Sequence, residues 1–507
     1  MKVRINLSRL VFLVTFTFLL ILIFYQCSDN GYTKKITRIS KKNINDNIIN
    51  TTNYEFDGIS VHEDEINSII KELLIKNLDK HINVDNFVEL REREELHTFL
   101  WNNIFGNYRS KDNDILQDYK NILIEQSSFL SQKNQTQLTL DQKLLSTLHK
   151  SLYSWVYKNK FSSLNQLILS SKGKGIVICT GNDHFNYARS TIDILRNILN
   201  CSLPIEVFYY GDDDLSYENR QILQKYSNTY LSNLFEYFDN TIINVKGWAI
   251  KPFAILASRF EEVILMDADV VFVRDPKELF NEQGYIETGT LFFKDRTLTK
   301  GKYYGLKWLK LWMKDPLPET KRLRYWKNKT IHEMDSGVVL IHKIKTLLGL
   351  LNTCKLNEYE IRSKVVYNYV YGDKETFWIG FDMARQHYYM DPEPSSVLGG
   401  IENVGVSEVS SLKMICGHIS HTKNGRLLFW NGHIIMDKNH KTDKYKIIKL
   451  DAFLIENKKF EYKNGVKCVE LDEDKVPILL SDEERLIIQN ILKREKEYHF
   501  IVPKENN

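Results

Sequence analysis

The sequence lacks most features that announce a simple binding role. It has six cysteines in 507 residues and no C-x-x-C spacing, which argues against a structural zinc site. The net charge is only +4, with charged residues at 26%, so no general attraction to a polyanion is built in. There is no basic helix, no finger spacing and no interleaving of basic with aromatic residues, and no nucleic-acid partner is expected. No internal repeat is apparent. Long apolar runs are also missing, with one exception at the N-terminus.

That exception, residues 10–25, is broken only by Thr15 and Thr17 and follows Lys2, Arg4 and Arg9. Sixteen residues of helix span about 24 Å, short for a plasma membrane but adequate for a thin early-secretory bilayer. Phe24-Tyr25-Gln26-Cys27 offers no A-x-A cleavage site, which favours a retained signal anchor over a cleaved signal peptide. Positive charge ahead of the run puts the N-terminus in the cytosol and the rest in a lumen, with Lys34, Lys35 and Arg38 pulling the other way. A lumenal chain gives meaning to the sequons at Asn50, Asn134, Asn200 and Asn328. It also permits up to two disulfides among Cys179, Cys201, Cys354, Cys416 and Cys468, with one cysteine left over.

The expected organisation is a cytosolic tail (1–9), a transmembrane anchor (10–27), a polar stem (28–60) and a helical neck (61–172). A catalytic domain (173–435) and a C-terminal appendage (436–507) follow. In the appendage, Ser481-Asp482-Glu483-Glu484 is a capping-box pattern that opens a helix to about Glu497. From Gly175 the pattern alternates. Residues 176–179 read as a strand, 187–199 as an amphipathic helix and 205–210 as a second strand, the layout of a doubly wound nucleotide-binding sheet.

The stretch E-V-I-L-M-D-A-D-V-V-F-V-R-D-P (262–276) organises this domain. Its apolar run ends abruptly at Asp267, and Asp269 follows two residues later, on the same side of an extended chain. Two carboxylates between apolar segments call for a cation, and hard oxygen ligands suit Mg²⁺ or Mn²⁺ bridging to a diphosphate. A lone D-x-D is equally a strand-end acidic turn. Lys251, in a helix leading into this strand, could meet a donor phosphate or cap a solvated helix end.

The pattern over 251–280 resembles nucleotide-sugar glycosyltransferases with a single Rossmann-like GT-A domain. Three further blocks, T-G-T-L-F-F-K-D-R (288–296), E-M-D-S-G-V-V-L (333–340) and Y-G-D-K-E-T-F-W-I-G-F (371–381), are similar to fungal Golgi α-mannosyltransferases of mannoproteins. The F-F-K-D-R ending is most similar to the branch that adds terminal α-1,3-linked mannose. The resemblance spans roughly 175–432 and implies an α/β GT-A fold, GDP-mannose as donor, retention, and Mn²⁺. The implied acceptor is a mannose-terminated N- or O-linked glycan at the Golgi membrane, with a possible complex among mannosyltransferases.

The resemblance makes Asp267 and Asp269 metal and diphosphate ligands. It implies a histidine as third ligand, for which His421 is preferred to His418. At Ser336-Gly337 a missing side chain lets a sugar or backbone come close, and these two with Lys251 and Asp267 are the candidate donor-binding residues. Asp335, Asp373 and Glu375 are the candidate catalytic carboxylates, the last two expected to point the same way if extended. An α-1,2 linkage, a UDP-sugar donor, or an inactive glycan-binding scaffold are the alternatives.

Overall fold

The computed structural model describes residues 75, 77–78, 82–106, 113–132, 136–299, 304–407, 410–436, 445–456, 462–463 and 468–503. The expected tail, anchor and stem lie outside these. Among the described residues no helix is long and apolar enough to cross a membrane. The chain divides into two compact units. In the first, residues 1–80 and 136–147, Thr139 and Gln142 exchange backbone-to-side-chain bonds of 3.0 and 3.2 Å, and a helix opens at Leu140. The remainder forms the second unit, described below.

Its centre is a six-stranded mixed sheet. The strands are β1 (Lys174–Cys179), β2 (Ile205–Tyr209), β3 (Thr229–Asn233), β4 (Glu262–Asp267), β6 (Thr290–Lys294) and β7 (Met334–His342), with the short β5 (Val270–Phe272) set outside this sheet. The order is β3-β2-β1-β4-β7-β6. The first four run parallel, while β7 is antiparallel to both β4 and β6. Strands this apolar need cover on both faces, and every residue of β7 is buried.

A second sheet is built from β8 (Ser396–Ser407), β9 (Ser410–Lys423), β10 (Arg426–Asn431), β11 (Ala452–Ile455), β12 (Tyr462–Lys463), β13 (Cys468–Glu470) and β14 (Ile478–Leu479). β10 pairs with both β9 and β5, so the strand after the D-x-D ties the second sheet to the first. Cys416 and Cys468 are register partners across β9 and β13 and form a disulfide. Among the described residues Cys179, Cys201 and Cys354 are free, so one bridge forms where two were allowed for.

Helices cover the sheet. The Phe87–Phe105 helix, from the expected neck, is fastened by the buried Arg91–Asp382 pair at 3.0 Å, and Trp155 donates to Glu358 at 2.7 Å. The Asp482–Tyr498 helix carries the complete Ser481/Glu484 capping box. Ile488 and Ile491 share one core with β1, β2 and the Phe185–Asn197 helix, where Arg494 also pairs with Asp193. Residues beyond 435 are therefore part of the same core.

Candidate active site

Four elements meet at the carboxyl edge of the parallel strands, where open α/β sheets place their ligands. β4 ends at Asp267, in register with Cys179 at the end of β1. Ala268 and Asp269 then make a turn into β5. The Thr191 hydroxyl fixes it by donating to the carbonyls of Ala268 (2.8 Å) and Val270 (3.1 Å). Because β7 is antiparallel to β4, its first residues arrive at the same edge and bring Asp335, Ser336 and Gly337. The Ile250–Ala257 helix supplies Lys251 in its first turn, and Asp373 is the N-cap of the Lys374–Met383 helix.

Lys251 joins these parts. Its buried ammonium is 2.7 Å from Asp267 Oδ1 and 3.5 Å from Asp373 Oδ2, and it donates to the carbonyl and hydroxyl of Ser336 at 3.2 Å each. Burial would lower its pKa, but Asp267 and Asp373 outweigh that and hold it above its usual value. Asp267 shows the other side of the balance. Burial raises its carboxyl to about 7, with Lys251 opposing and Asp269 and Asp373 adding to the rise. Asp335 also acts on Lys251, so three carboxylates act on one ammonium, and Asp269 stands next to Asp267 as a fourth negative charge. The site is short of positive charge.

Two carboxylates are held in specific ways. Asp335 Oδ1 accepts from the Gly337 N–H (2.9 Å), and Oδ2 lies 2.9 Å from His421 Nε2. The His421 ring packs 5.0 Å from Phe293 and 4.6 Å from Phe429. Asp373 does not use its side chain to cap its helix, and its buried Oδ2 has no hydrogen-bond donor. Gly337 is tightly enclosed, since a Cβ there would stand 2.6 Å from Asn431 Nδ2.

The expected common direction of Asp373 and Glu375 is not found. Both lie at a helix start, where residues two apart point to different sides, whereas in a strand they would share one. Glu375 turns inward, accepting from the Glu333 N–H (2.8 Å) and the Trp378 indole, and burial raises its carboxyl to about 7. Lys374 leaves in another direction, to Asp295 at 2.7 Å.

Among the described residues no group of three or more His, Cys, Asp or Glu is placed so that it could hold a metal ion as it stands. His421 is committed to Asp335, and His418 Nε2 is 2.7 Å from the Ile435 carbonyl. A different histidine stands open beside the D-x-D. The backbone N–H groups of Gly432 and His433 donate to the Asp269 carbonyl at 3.1 and 2.9 Å. The fully buried His433 ring has no hydrogen-bond partner at either nitrogen. Burial lowers its pKa to about 3, which keeps it as neutral imidazole, the ligating form. By donor chemistry a neutral imidazole beside carboxylates suits Mn²⁺, although the three side chains are not gathered around one point in this arrangement. No local signal marked His433, because its relation to Asp269 arises only when β10 pairs with β5.

Comparison with known proteins finds a family and relatives for this chain. The profile of the family described as "Mannosyltransferase putative" matches residues 173–423. A Candida albicans protein named "Putative alpha-1,3-mannosyltransferase MNN14" is 30% identical over 312 residues, covering 54% of this chain and 44% of its own. The Saccharomyces cerevisiae "Alpha-1,3-mannosyltransferase MNT2" is 26% identical over 300 residues, covering 52% of each. The chain thus spans about half or less of the length of these relatives. Among solved structures, the galactosyltransferase LgtC with donor and acceptor sugar analogues is 15% identical at a TM-score of 0.27, covering 41% of this chain and 70% of its own.

Proposed function

Because residues 173–423 belong to the mannosyltransferase family, we propose that this chain is a type II Golgi membrane glycosyltransferase with a GT-A catalytic domain. It moves mannose from GDP-mannose to the terminal mannose of N- or O-linked glycans, with retention, and forms an α-1,3 bond. The observation that carries this reading is the group of Asp267, Asp335 and Asp373 around Lys251, with Asp269 beside Asp267, in which Asp373 Oδ2 accepts no hydrogen bond and has only the Lys251 ammonium at 3.5 Å. Such a site suits a cation with a diphosphate, and a polyol that supplies hydroxyl donors. The α-1,3 linkage takes its support from the names of the relatives. The S. cerevisiae "Alpha-1,2-mannosyltransferase MNN2", 26% identical over 274 residues, favours α-1,2 linkage as the second reading.

Asp267, Asp269 and His433 would hold Mn²⁺, which supplies Lewis-acid neutralisation of the leaving diphosphate. Lys251 adds a fixed positive charge beside it. Asp335, pinned by Gly337 and His421, and Asp373, with its open oxygen, accept from mannose hydroxyls and orient the ring. The missing side chain at Gly337 makes room for Asn431, so the expected approach of a sugar there is replaced by a close protein contact. The acceptor oxygen bonds to C1 as the bond from C1 to the diphosphate oxygen breaks. The diphosphate takes the electron pair, and the hydroxyl proton leaves with it. No residue is assigned a covalent intermediate.

The Cys416–Cys468 disulfide supports a lumenal catalytic domain, as do the exposed sequon residues Asn200 and Asn328. Donor choice is tested by calorimetric titration of the detergent-solubilised full chain with GDP and UDP, with and without Mn²⁺. GDP should bind in the presence of Mn²⁺ and UDP at least tenfold more weakly. Equal binding of UDP would overturn the choice of donor.

A further inference from the structure

Two aromatic rings stand exposed on the loops that carry the site's charges. Trp248 is 51% exposed and lies in the Gly247–Ala249 turn directly before the Lys251 helix. Tyr371 is 59% exposed and precedes Asp373 by two residues. Their centroids are 5.4 Å apart with planes tilted by 40°, so the two exposed rings pack side by side at a shallow angle. The charged ends of Lys251 and Asp373 meet at 3.5 Å and fasten the two loops together.

The rings are held from behind. Gly372 has φ +63, and a Cβ there would come within 2.8 Å of the Trp248 ring, so the Tyr371–Asp373 backbone lies against the indole. His332 meets Tyr371 edge-on at 5.5 Å, and the Lys374 ammonium, tethered to Asp295, stands 5.1 Å from the Tyr371 centroid. Leaving two large, well-braced rings in water forgoes burial energy, which suggests that a ligand covers them. The occupant should offer a flat apolar face and a polar edge.

We infer that Trp248 and Tyr371 form a stacking shelf for a pyranose ring of the acceptor glycan, and so define an acceptor subsite beside the transfer centre. This rests on the mannosyl-transfer reading above. A nucleobase is the competing occupant by chemistry. In a sheet of this kind the nucleotide belongs to the loops that follow β1 and β4, and neither ring is on those loops. The weak C–H face of a sugar and the tilted rings match in shape, while nearby Asp373 and His332 supply partners for hydroxyls.

The test titrates the detergent-solubilised full chain with α-1,2-mannobiose and, separately, with GDP and Mn²⁺. Trp248→Ala and Tyr371→Ala should each weaken mannobiose binding at least tenfold while changing GDP affinity less than twofold. Tyr371→Phe, which keeps the ring, should stay within threefold of wild type. Mannobiose affinity unchanged in both alanine variants, or no mannobiose binding by wild type, overturns the shelf. So does a tenfold loss of GDP affinity with mannobiose binding intact, which would assign the rings to the base. Failure of wild type to transfer mannose from GDP-mannose overturns the functional reading instead, and the dependence of mannobiose binding on the rings is read independently of it.

Discussion

The ammonium of Lys251 lies 2.7 Å from Asp267 and 3.5 Å from Asp373, so a single buried cation ties the end of β4 to the start of the Lys374–Met383 helix. Removing it leaves buried carboxylates facing one another. Lys251→Met should cost about 3–5 kcal/mol, the usual result of breaking a buried pair from one side. Chemical denaturation measures this, and a loss below about 1 kcal/mol would mean that water already solvates the cluster.

Asp373→Asn tests the open oxygen. The side chain makes no capping bond, and Lys251 keeps its shorter pair with Asp267 while one repulsion on Asp267 is relieved, so the variant should lose much less stability than Lys251→Met. Loss of a charged acceptor for a sugar hydroxyl should lower turnover roughly tenfold to a hundredfold. Steady-state kinetics alongside thermal unfolding separates the two effects, and full activity would remove Asp373 from the chemistry.

Gly337→Ala should lower activity by displacing Asn431, whose amide nitrogen would be 2.6 Å from the new Cβ. Asn431→Ala in the same chain should recover much of the loss by clearing that space. If the double variant is no better than Gly337→Ala alone, the close approach at Gly337 serves something other than Asn431.

Glu94 predicts a pH dependence of stability. It is buried and accepts from the Tyr153 hydroxyl at 2.7 Å, and burial raises its pKa to about 7. The folded state therefore keeps this proton to a higher pH than the unfolded chain. Between about pH 4.5 and 7 folding binds the proton, and stability falls as pH rises through that window. Relative to wild type, Glu94→Gln should gain up to roughly 3 kcal/mol from pH 4.5 to 7.5. Denaturation curves at the two pH values measure it, and a pH-independent difference would contradict the assignment.

Replacing both Cys416 and Cys468 by alanine should cost ~2–4 kcal/mol by freeing the 52-residue separation that the bridge closes. Reduction of the wild-type chain should reproduce the loss. A double variant as stable as the oxidised protein would show that β9 and β13 hold without the bridge.

Much of the framework could be read from local pattern. The unbroken apolar run into Asp267 became a central strand, and the stretches read as strands at 176–179 and 205–210 became β1 and β2. The Ser481 capping box opens its helix as expected because a cap is a four-residue event. Lys251, expected to meet a donor phosphate, pairs with Asp267 and donates to Ser336. What stayed hidden depends on distant pairing. His433 reaches Asp269 only through the β5–β10 ladder, and Cys416 finds Cys468 only through β9 and β13. The direction of Glu375 was misread for a local reason: a D-x-E at a helix start looks the same as one in extended chain.

The most direct measurement incubates the detergent-solubilised full chain with GDP-mannose, Mn²⁺ and α-1,2-mannobiose, with Asp269→Ala and His433→Ala beside it, and reads product linkage by NMR. The account predicts an α-1,3-linked mannose from wild type and at least a hundredfold less from either variant. No mannose transfer by folded wild type, or an α-1,2 product, would contradict it.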